Sequence, residues 1–449
     1  MFNFNSFKKI HFVGIGGISM SAIAKLMLNL KKEVSGSDDT LSQITNELEE
    51  LGIDIKEHHS PQKVSECDLV VYTTAVDKTN KDLVLAKKLN KPILERAEFL
   101  GFVCKFFSKT LAVCGTHGKT TVSAMLALIL ESKNPTIHIG GNFSQIGGNL
   151  KLGGKDLFLT EACEFNKSFL HINPSISVIT NIECDHMDCY KDKQEIEQTF
   201  IKFARQTSDF IVLNHNFLHL FDPYFAKSKI TTFDIDKKSD FWATNLDAEN
   251  GVFSFDVFND NFYMGEIQLN VAGKHNVLNA LASIAVATKL GISFVQIQKK
   301  LKDFKGVNRR FQTLYDKDFK VIHDYAHHPT EIACAIQTAQ FLKPKNLVCV
   351  FQPHTYSRTK SLFQEFLKCF NGVDKLFLLP TYSAREKEIE GGSAFDLFKS
   401  LPEDLNATYF KDELSCQKKL LKNTQKGDLI LWLGAGTIEI FAKNFVKKL

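Results

Sequence analysis

Long apolar runs are missing from this 449-residue chain: nowhere do 18 apolar residues follow one another, so no membrane-spanning helix is expected. The stretch from Met1 to Lys31 lacks the charged start, apolar core and small-residue cleavage site of a signal peptide, and the cytosol is the expected compartment. Ten cysteines are present, but no C-x-x-C pair and no Cys/His zinc spacing. Cys67, Cys104, Cys114, Cys334 and Cys349 lie in apolar runs and read as reduced, packed thiols. An excess of one charge is lacking too. The net charge is +4 and the lysines are scattered, which gives no support to nucleic-acid or membrane-surface binding and leaves small molecules as the expected partners. Internal repeats and low-complexity linkers are also absent. What remains, 44% hydrophobic and 24% charged residues, is an ordinary globular composition, long enough for about three domains of roughly 150 residues.

The most informative stretch is Gly115-Thr116-His117-Gly118-Lys119-Thr120-Thr121, set between the strand-like Leu111–Val113 and a helix-like run from Val122 to Leu130. Glycines there let backbone N–H groups curl around an anion and the helix turns its positive end toward it. The lysine reaches the outer phosphates, and a hydroxyl sits where Mg²⁺ is held. The loop is shorter than G-x-x-x-x-G-K-[ST], with Val113 where the first glycine would stand, which points away from ordinary GTPases and motor ATPases. A nucleoside triphosphate is the expected ligand.

A strand from Lys8 to Val13, the turn Gly14-Ile-Gly16-Gly17 and the helical pattern Ile23, Leu26, Met27, Leu30 open the chain, with a second strand ending at Ser37-Asp38. This βαβ unit suits NAD or the diphosphate of a nucleotide sugar. Further strands are expected at Leu69–Tyr72, Pro92–Leu94, Leu157–Leu159, Ile176–Ile182, Phe210–Leu213, Phe319–Ile322, Leu347–Phe351, Lys375–Leu379 and Leu429–Leu433, with a helix from Arg96 to Phe107. Strands separated by helix-length segments imply parallel sheets covered by helices. The expected fold is α/β with three domains. Residues 1–107 form a Rossmann-like domain, 108–309 a central phosphate-loop ATPase domain, and 310–449 a second Rossmann-like domain.

Glu161 and the cluster Glu183-Cys-Asp185-His186-Met-Asp188 each follow an apolar strand, where ligands gather at the carboxyl ends of parallel sheets. Glu161 is a hard oxygen ligand for Mg²⁺ beside the Thr120 hydroxyl, while His186 suggests a second divalent site tolerating Mn²⁺. His275 and Asn276 start an alanine-rich helix; such groups bond a base edge, yet as often only cap a helix. Asp324-Tyr325-Ala-His327-His328-Pro-Thr-Glu331 packs five titratable side chains into eight residues. Arg310 offers a cation to phosphate. Arg358 offers a bidentate fork to a carboxylate, or is a surface arginine.

In order and spacing these motifs resemble the Mur ligase family nearly end to end: His11-Phe-Val-Gly-Ile-Gly-Gly, Ser35-Gly-Ser-Asp38, Gly115-Thr-His-Gly-Lys-Thr-Thr, Thr180-Asn-Ile-Glu-Cys-Asp-His-Met-Asp188, Gly273-Lys-His-Asn276, Arg309-Arg-Phe311, Asp324-Tyr-Ala-His-His-Pro-Thr-Glu331 and Phe351-Gln-Pro-His354. The resemblance implies an ATP-dependent amide ligase of peptidoglycan precursor synthesis that joins L-alanine to UDP-N-acetylmuramate through an acyl phosphate. It makes Lys119 and Thr120 the phosphate and Mg²⁺ residues, Glu161 and His186 metal ligands, and His275 and Asn276 adenine contacts. Arg310 and Asp324 become nucleotide contacts. Gly14, Gly16, Gly17, Ser37, Asp38 and Thr74 take the UDP-sugar, while Tyr325, His327 and Arg358 hold the amino acid. Lys119, His186 and Arg358 would be catalytic, in a monomer or homodimer. The chain departs from the family pattern at His323, Ala326 and Thr355, and no carbamylated lysine is assignable.

Overall fold

The computed structural model describes residues 6–449 except 184–188, 236, 250–251 and 385. The described residues form two compact units. One comprises Met1–Gly115, Val122–Ile182 and Glu197–Thr231; the other comprises Thr116–Thr121, Glu183–Ile196 and Thr232–Leu449.

The first unit opens with a five-stranded parallel sheet in the order Asp54–Glu57, Glu33–Asp38, Lys9–Val13, Leu69–Tyr72, Ile93–Glu95. Strand order reverses beside Lys9–Val13, and the Gly14–Gly17 turn leaves that strand's carboxyl end at the switch point. The apolar faces of Lys9–Val13 and of the helix Ile18–Asn29 are buried. A second parallel set runs Phe210–Asn214, Ile176–Ile179, Lys109–Cys114, Leu157–Glu161, Thr136–Phe143, with Gly148–Lys151 added antiparallel. The strand from Ile176 is shorter than its apolar run, and the helix from Arg96 ends at Cys104.

The second unit carries a six-stranded sheet in the order Gln312–Asp316, Lys320–Asp324, Leu429–Leu433, Leu347–Phe351, Lys375–Leu378, Ala407–Tyr409. Alternation along its central strands splits the core between two faces. Ile322, Cys349, Phe351 and Leu431 face one side, and Val321, Val348, Val350 and Trp432 the other. Uniform parallel pairing is not what the structure shows. Phe241–Glu249, Val252–Asn259 and Phe262–Leu269 form an antiparallel meander, and Gln312–Asp316 pairs antiparallel with Lys320–Asp324. The connections are only a few residues long, too short for the crossover a parallel pair requires. Burial alternates along Val252–Asn259, as in a strand with one covered face.

Cys67, Cys104, Cys114 and Cys349 are buried, whereas Cys334 is only half-buried. Among the described residues no helix is long and apolar enough to cross a membrane.

His323 lies fully buried in the strand Lys320–Asp324, in register with Trp432. Burial lowers its pKa from the ordinary 6.5 to about 4. The folded chain therefore keeps the ring neutral at pH values where the unfolded chain protonates it, so stability falls as pH drops from 6.5 toward 4. The expected loss is roughly 3 kcal/mol at full effect. Urea unfolding at pH 7 and pH 4.5 should show a smaller pH dependence for His323→Leu than for the unmodified chain; equal slopes would contradict this account.

Candidate functional site

The phosphate loop begins where the strand Lys109–Cys114 ends. Gly115, in the first unit, has φ +129°, and a Cβ there would stand 2.0 Å from Thr180 Oγ1, so no other residue fits. In the second unit Gly118 has φ +85°, and an added Cβ would meet Asn279 Oδ1 at 2.5 Å. Thr116 Oγ1 accepts from the backbone N–H of Glu183 (2.9 Å). Lys119, Thr120 and Thr121 form the first turn of the helix Lys119–Ile129. The Lys119 ammonium donates to the Thr116 carbonyl (3.0 Å), folding the side chain back over the loop.

His117 is the electrostatic centre of the second unit. Its Nδ1 lies 3.1 Å from Glu331 Oε1 and its Nε2 3.4 Å from Glu183 Oε2. Burial alone would lower its pKa, but the two carboxylates outweigh burial and raise it to about 9, so the ring is an imidazolium ion-paired on both sides. The same pairing holds Glu183 below the usual carboxylate range, against the cost of burial. Glu183 also accepts from the Thr330 hydroxyl (2.9 Å).

Glu331 gathers more. Oε1 also takes Arg310 Nη1 (3.4 Å), and Oε2 accepts the backbone N–H of His327 (3.1 Å) and that of the N-cap His328 (3.4 Å), the latter completing a capping box at the start of the helix Pro329–Phe341. Asp324 accepts from the backbone N–H groups of Phe311 and Ala326, each at 2.7 Å. It thereby secures a turn in which Arg309 (φ +68°) and Phe311 (φ +45°) adopt left-handed conformations that side chains disfavour. Burial raises the Asp324 pKa to about 6, with Arg310 opposing. Tyr325 lies beneath two guanidinium groups, Arg309 at 4.5 Å and Arg310 at 5.3 Å from its ring centre. Its ring is thus committed to orienting arginines.

His327 Nδ1 is 2.9 Å from the Tyr325 carbonyl, and its ring centre is 5.8 Å from that of His354. Burial, with Arg358 nearby, lowers the His354 pKa to about 4, leaving a neutral ring whose Nδ1 accepts from Arg358 Nη1 (3.2 Å). Arg358 lies in the short helix Tyr356–Ser361, which starts after Thr355 at φ +66°. The structure thus brings His327, His354 and Arg358 together.

His275 and Asn276 open the helix Lys274–Lys289. His275 is exposed, whereas Asn276 is buried, with Nδ2 donating to the Ala272 carbonyl (2.6 Å) and Oδ1 accepting from Asn279 (3.2 Å). The helix N-cap is Gly273, without a side-chain cap, so Asn276 ties the helix start to Ala272 and Asn279 rather than capping it.

In the first unit Gly14 N–H bonds the Ser37 carbonyl (2.8 Å), and Asp38 Oδ2 accepts from Gly16 N–H (2.8 Å), so Asp38 braces the glycine turn. Gly17 is the N-cap of the helix Ile18–Asn29. Ser37 does not present its hydroxyl outward. It is fully buried and donates to Asp82 (2.7 Å), which also lies 3.6 Å from the buried His11. Thr74 is exposed after the strand Leu69–Tyr72. Glu161 ends the strand Leu157–Glu161, and its Oε1 accepts from Gly140 N–H (2.7 Å). A side chain at Gly140 would crowd Glu161 Oε2 at 2.8 Å, so that carboxylate faces a backbone kept bare. His186 lies outside the described residues.

Ligand atoms of His117, Glu183 and His328 lie within 4.8 Å of one another. Within the cluster His117 is ion-paired to Glu183, and on its other side to Glu331. Roles for Glu183, Asn279 and Glu331 do not follow from the motifs alone. The one local signal is the spacing His328-Pro-Thr-Glu331, which reads as a helix N-terminus with a capping carboxylate.

A phosphate loop on a parallel sheet, together with an arginine–histidine cluster at strand ends, defines a nucleotide-dependent α/β ligase. The chain belongs to the Mur ligase family. Residues 9–108 match the Mur ligase family catalytic domain, 113–287 the Mur ligase middle domain and 309–436 the Mur ligase glutamate ligase domain. It is 42% identical to the UDP-N-acetylmuramate–L-alanine ligase of Acetivibrio thermocellus, over 99% of this chain and 96% of that one. The crystal structure of UDP-N-acetylmuramate-alanine ligase from Thermotoga maritima superposes with a TM-score of 0.82 at 31% identity, covering 98% of both chains. The UDP-N-acetylmuramate:L-alanyl-gamma-D-glutamyl-meso-diaminopimelate ligase of Neisseria meningitides has a TM-score of 0.60 at 30% identity, covering 68% of this chain and all of that one.

Lys119→Ala should leave the fold intact, since alanine is a good helix former in the first turn of Lys119–Ile129, and slow turnover by about 10²–10³, the effect of removing one donor to developing charge. Steady-state kinetics beside a thermal melt checks this; near-normal turnover would remove Lys119 from the site.

Proposed function

We propose that this chain joins L-alanine to the lactyl carboxylate of UDP-N-acetylmuramate, converting ATP to ADP and phosphate, as a cytosolic step of peptidoglycan precursor synthesis. The observation that carries the reading is the end-to-end likeness to enzymes named for this reaction, in a chain whose phosphate loop and C-terminal arginine–histidine cluster are both built. Residues 1–107 would bind the UDP-sugar, 108–309 ATP, and 310–449 the amino acid. The chain would act as a monomer or homodimer.

A carboxylate is a poor acceptor for an amine until its oxygen becomes a leaving group. The sugar carboxylate attacks the γ-phosphorus and ADP departs, giving an acyl phosphate; the alanine amine then adds to the carbonyl carbon, phosphate leaves and a proton is lost. Lys119 and the backbone N–H groups of Gly115–Gly118 offset charge on the transferring group, with Arg310 supplying a further cation. Asp324 serves by holding the Arg310 turn. Thr120 and Glu161, both hard oxygen donors, suit Mg²⁺, and His186 would join them with Mn²⁺ as a substitute. The ion would neutralise phosphate charge when bound.

Phosphate release should require ATP, UDP-N-acetylmuramate and L-alanine together, and the nucleotide product should be ADP. Formation of AMP and pyrophosphate would refute the acyl-phosphate route. Greater activity with the tripeptide L-alanyl-γ-D-glutamyl-meso-diaminopimelate than with L-alanine would replace it by a peptide-recycling ligase.

Alanine offers one methyl group, worth on the order of 1 kcal/mol, so its charged ends must supply most of its binding. Arg358, directed by neutral His354, presents a planar fork to the carboxylate that lysine cannot reproduce. Arg358→Lys should raise KM for L-alanine about tenfold or more while KM for ATP moves little. A rise in the ATP constant alone would move Arg358 to the nucleotide site.

A further inference from the structure

One carboxylate in the second unit does more than its position in the fold requires. Glu331 is the third residue of the helix Pro329–Phe341, where a capping carboxylate needs one oxygen for the N–H groups behind it. Oε2 meets that need, accepting from His327 N–H (3.1 Å) and His328 N–H (3.4 Å). Oε1 is surplus to capping, and it lies 3.1 Å from His117 Nδ1 and 3.4 Å from Arg310 Nη1. His117 belongs to the phosphate loop, 214 residues away in sequence. We propose that Glu331 is the positioning residue that couples the nucleotide and amino-acid sites, its two oxygens locking the phosphate-loop imidazole and Arg310 to the turn that carries His327. This rests on the reading of those sites given above.

The chemistry of the contacts supports it. His117, Arg310 and the backbone N–H groups of His327 and His328 are all donors, so the site demands an acceptor at both oxygens. A glutamine presents an NH₂ to one side and leaves it facing N–H groups. An aspartate keeps the charge and can still cap, but is one methylene too short to reach the loop as well. The side chain is only 12% exposed, so water replaces neither contact easily. His327, His117 and Arg310 together outweigh burial and keep the carboxyl well below its ordinary range.

The test is kinetic, on the full chain with ATP, UDP-N-acetylmuramate and L-alanine, reading phosphate release. Glu331→Gln should raise KM for both ATP and L-alanine by about fivefold or more, the usual lower size of a coupling between sites, while KM for the UDP-sugar stays within about twofold. Glu331→Asp should keep a near-normal melting temperature and show the same kinetic defect. His117→Gln, which breaks the contact from the loop side, should reproduce the rise in both constants, and the double variant His117→Gln/Glu331→Gln should be no worse than the poorer single one. Normal constants with a lowered melting temperature, a change confined to one substrate, or effects that multiply in the double variant would each overturn the proposal. If Glu331→Gln does not fold, the Asp and His117 variants decide. Should Lys119→Ala and Arg358→Lys behave as expected while these do not, the coupling fails and the site assignments stand.

Discussion

Parallel strands release their chains at one edge of a sheet, and the chemistry of this protein is arranged along such edges. In the second unit Asp324 to His327 leave the strand Lys320–Asp324, and His354 to Arg358 leave Leu347–Phe351, two strands that flank Leu429–Leu433. Residues about 30 positions apart in sequence therefore converge, with the His327 and His354 rings tilted against each other at 5.8 Å. In the first unit the same constraint puts Gly14–Gly17 and Asp38 at the ends of neighbouring strands. Shared strand direction turns separate loops into sites.

Charge then fixes how those loops sit. A half-buried imidazolium is costly alone and is tolerated where anions face both nitrogens, as Glu183 and Glu331 face His117. Asp324 works through backbone N–H groups, holding Arg309 and Phe311 in left-handed conformations and so aiming Arg310. His354 is the converse case. Burial keeps it neutral, and only a neutral ring accepts from Arg358. Protonation states across the site are therefore set by neighbours.

Much of this was legible in the chain. The phosphate loop could be read because an anion cradle is local: two glycines, a lysine and a hydroxyl between strand and helix define it without distant partners. Strands such as Leu347–Phe351 announced themselves by unbroken apolar runs. The antiparallel meander from Phe241 to Leu269 was not legible from the α/β rhythm, because its half-buried strands carry polar residues at alternate positions and no intervening helix. Ser37 shows a second limit. The family resemblance gives it to the UDP-sugar, and no local pattern announces that Asp82, 45 residues on, takes its hydroxyl in the core.

The sequence by itself determined the α/β class, the phosphate loop and the identity of the groups available for chemistry, since these depend on periodicity and on contacts within a few residues. Only the tertiary structure decided which of those groups are paired, buried or charged. Glu331 reads locally as a helix cap and becomes a link to the phosphate loop because folding brings His117 within hydrogen-bonding distance across 214 residues. Asn276, whose role the motif alone leaves open, is bonded to Ala272 and Asn279 in the folded chain. Hydrogen bonds and ion pairs act over a few ångströms, and distances on that scale between remote segments exist only in the folded chain.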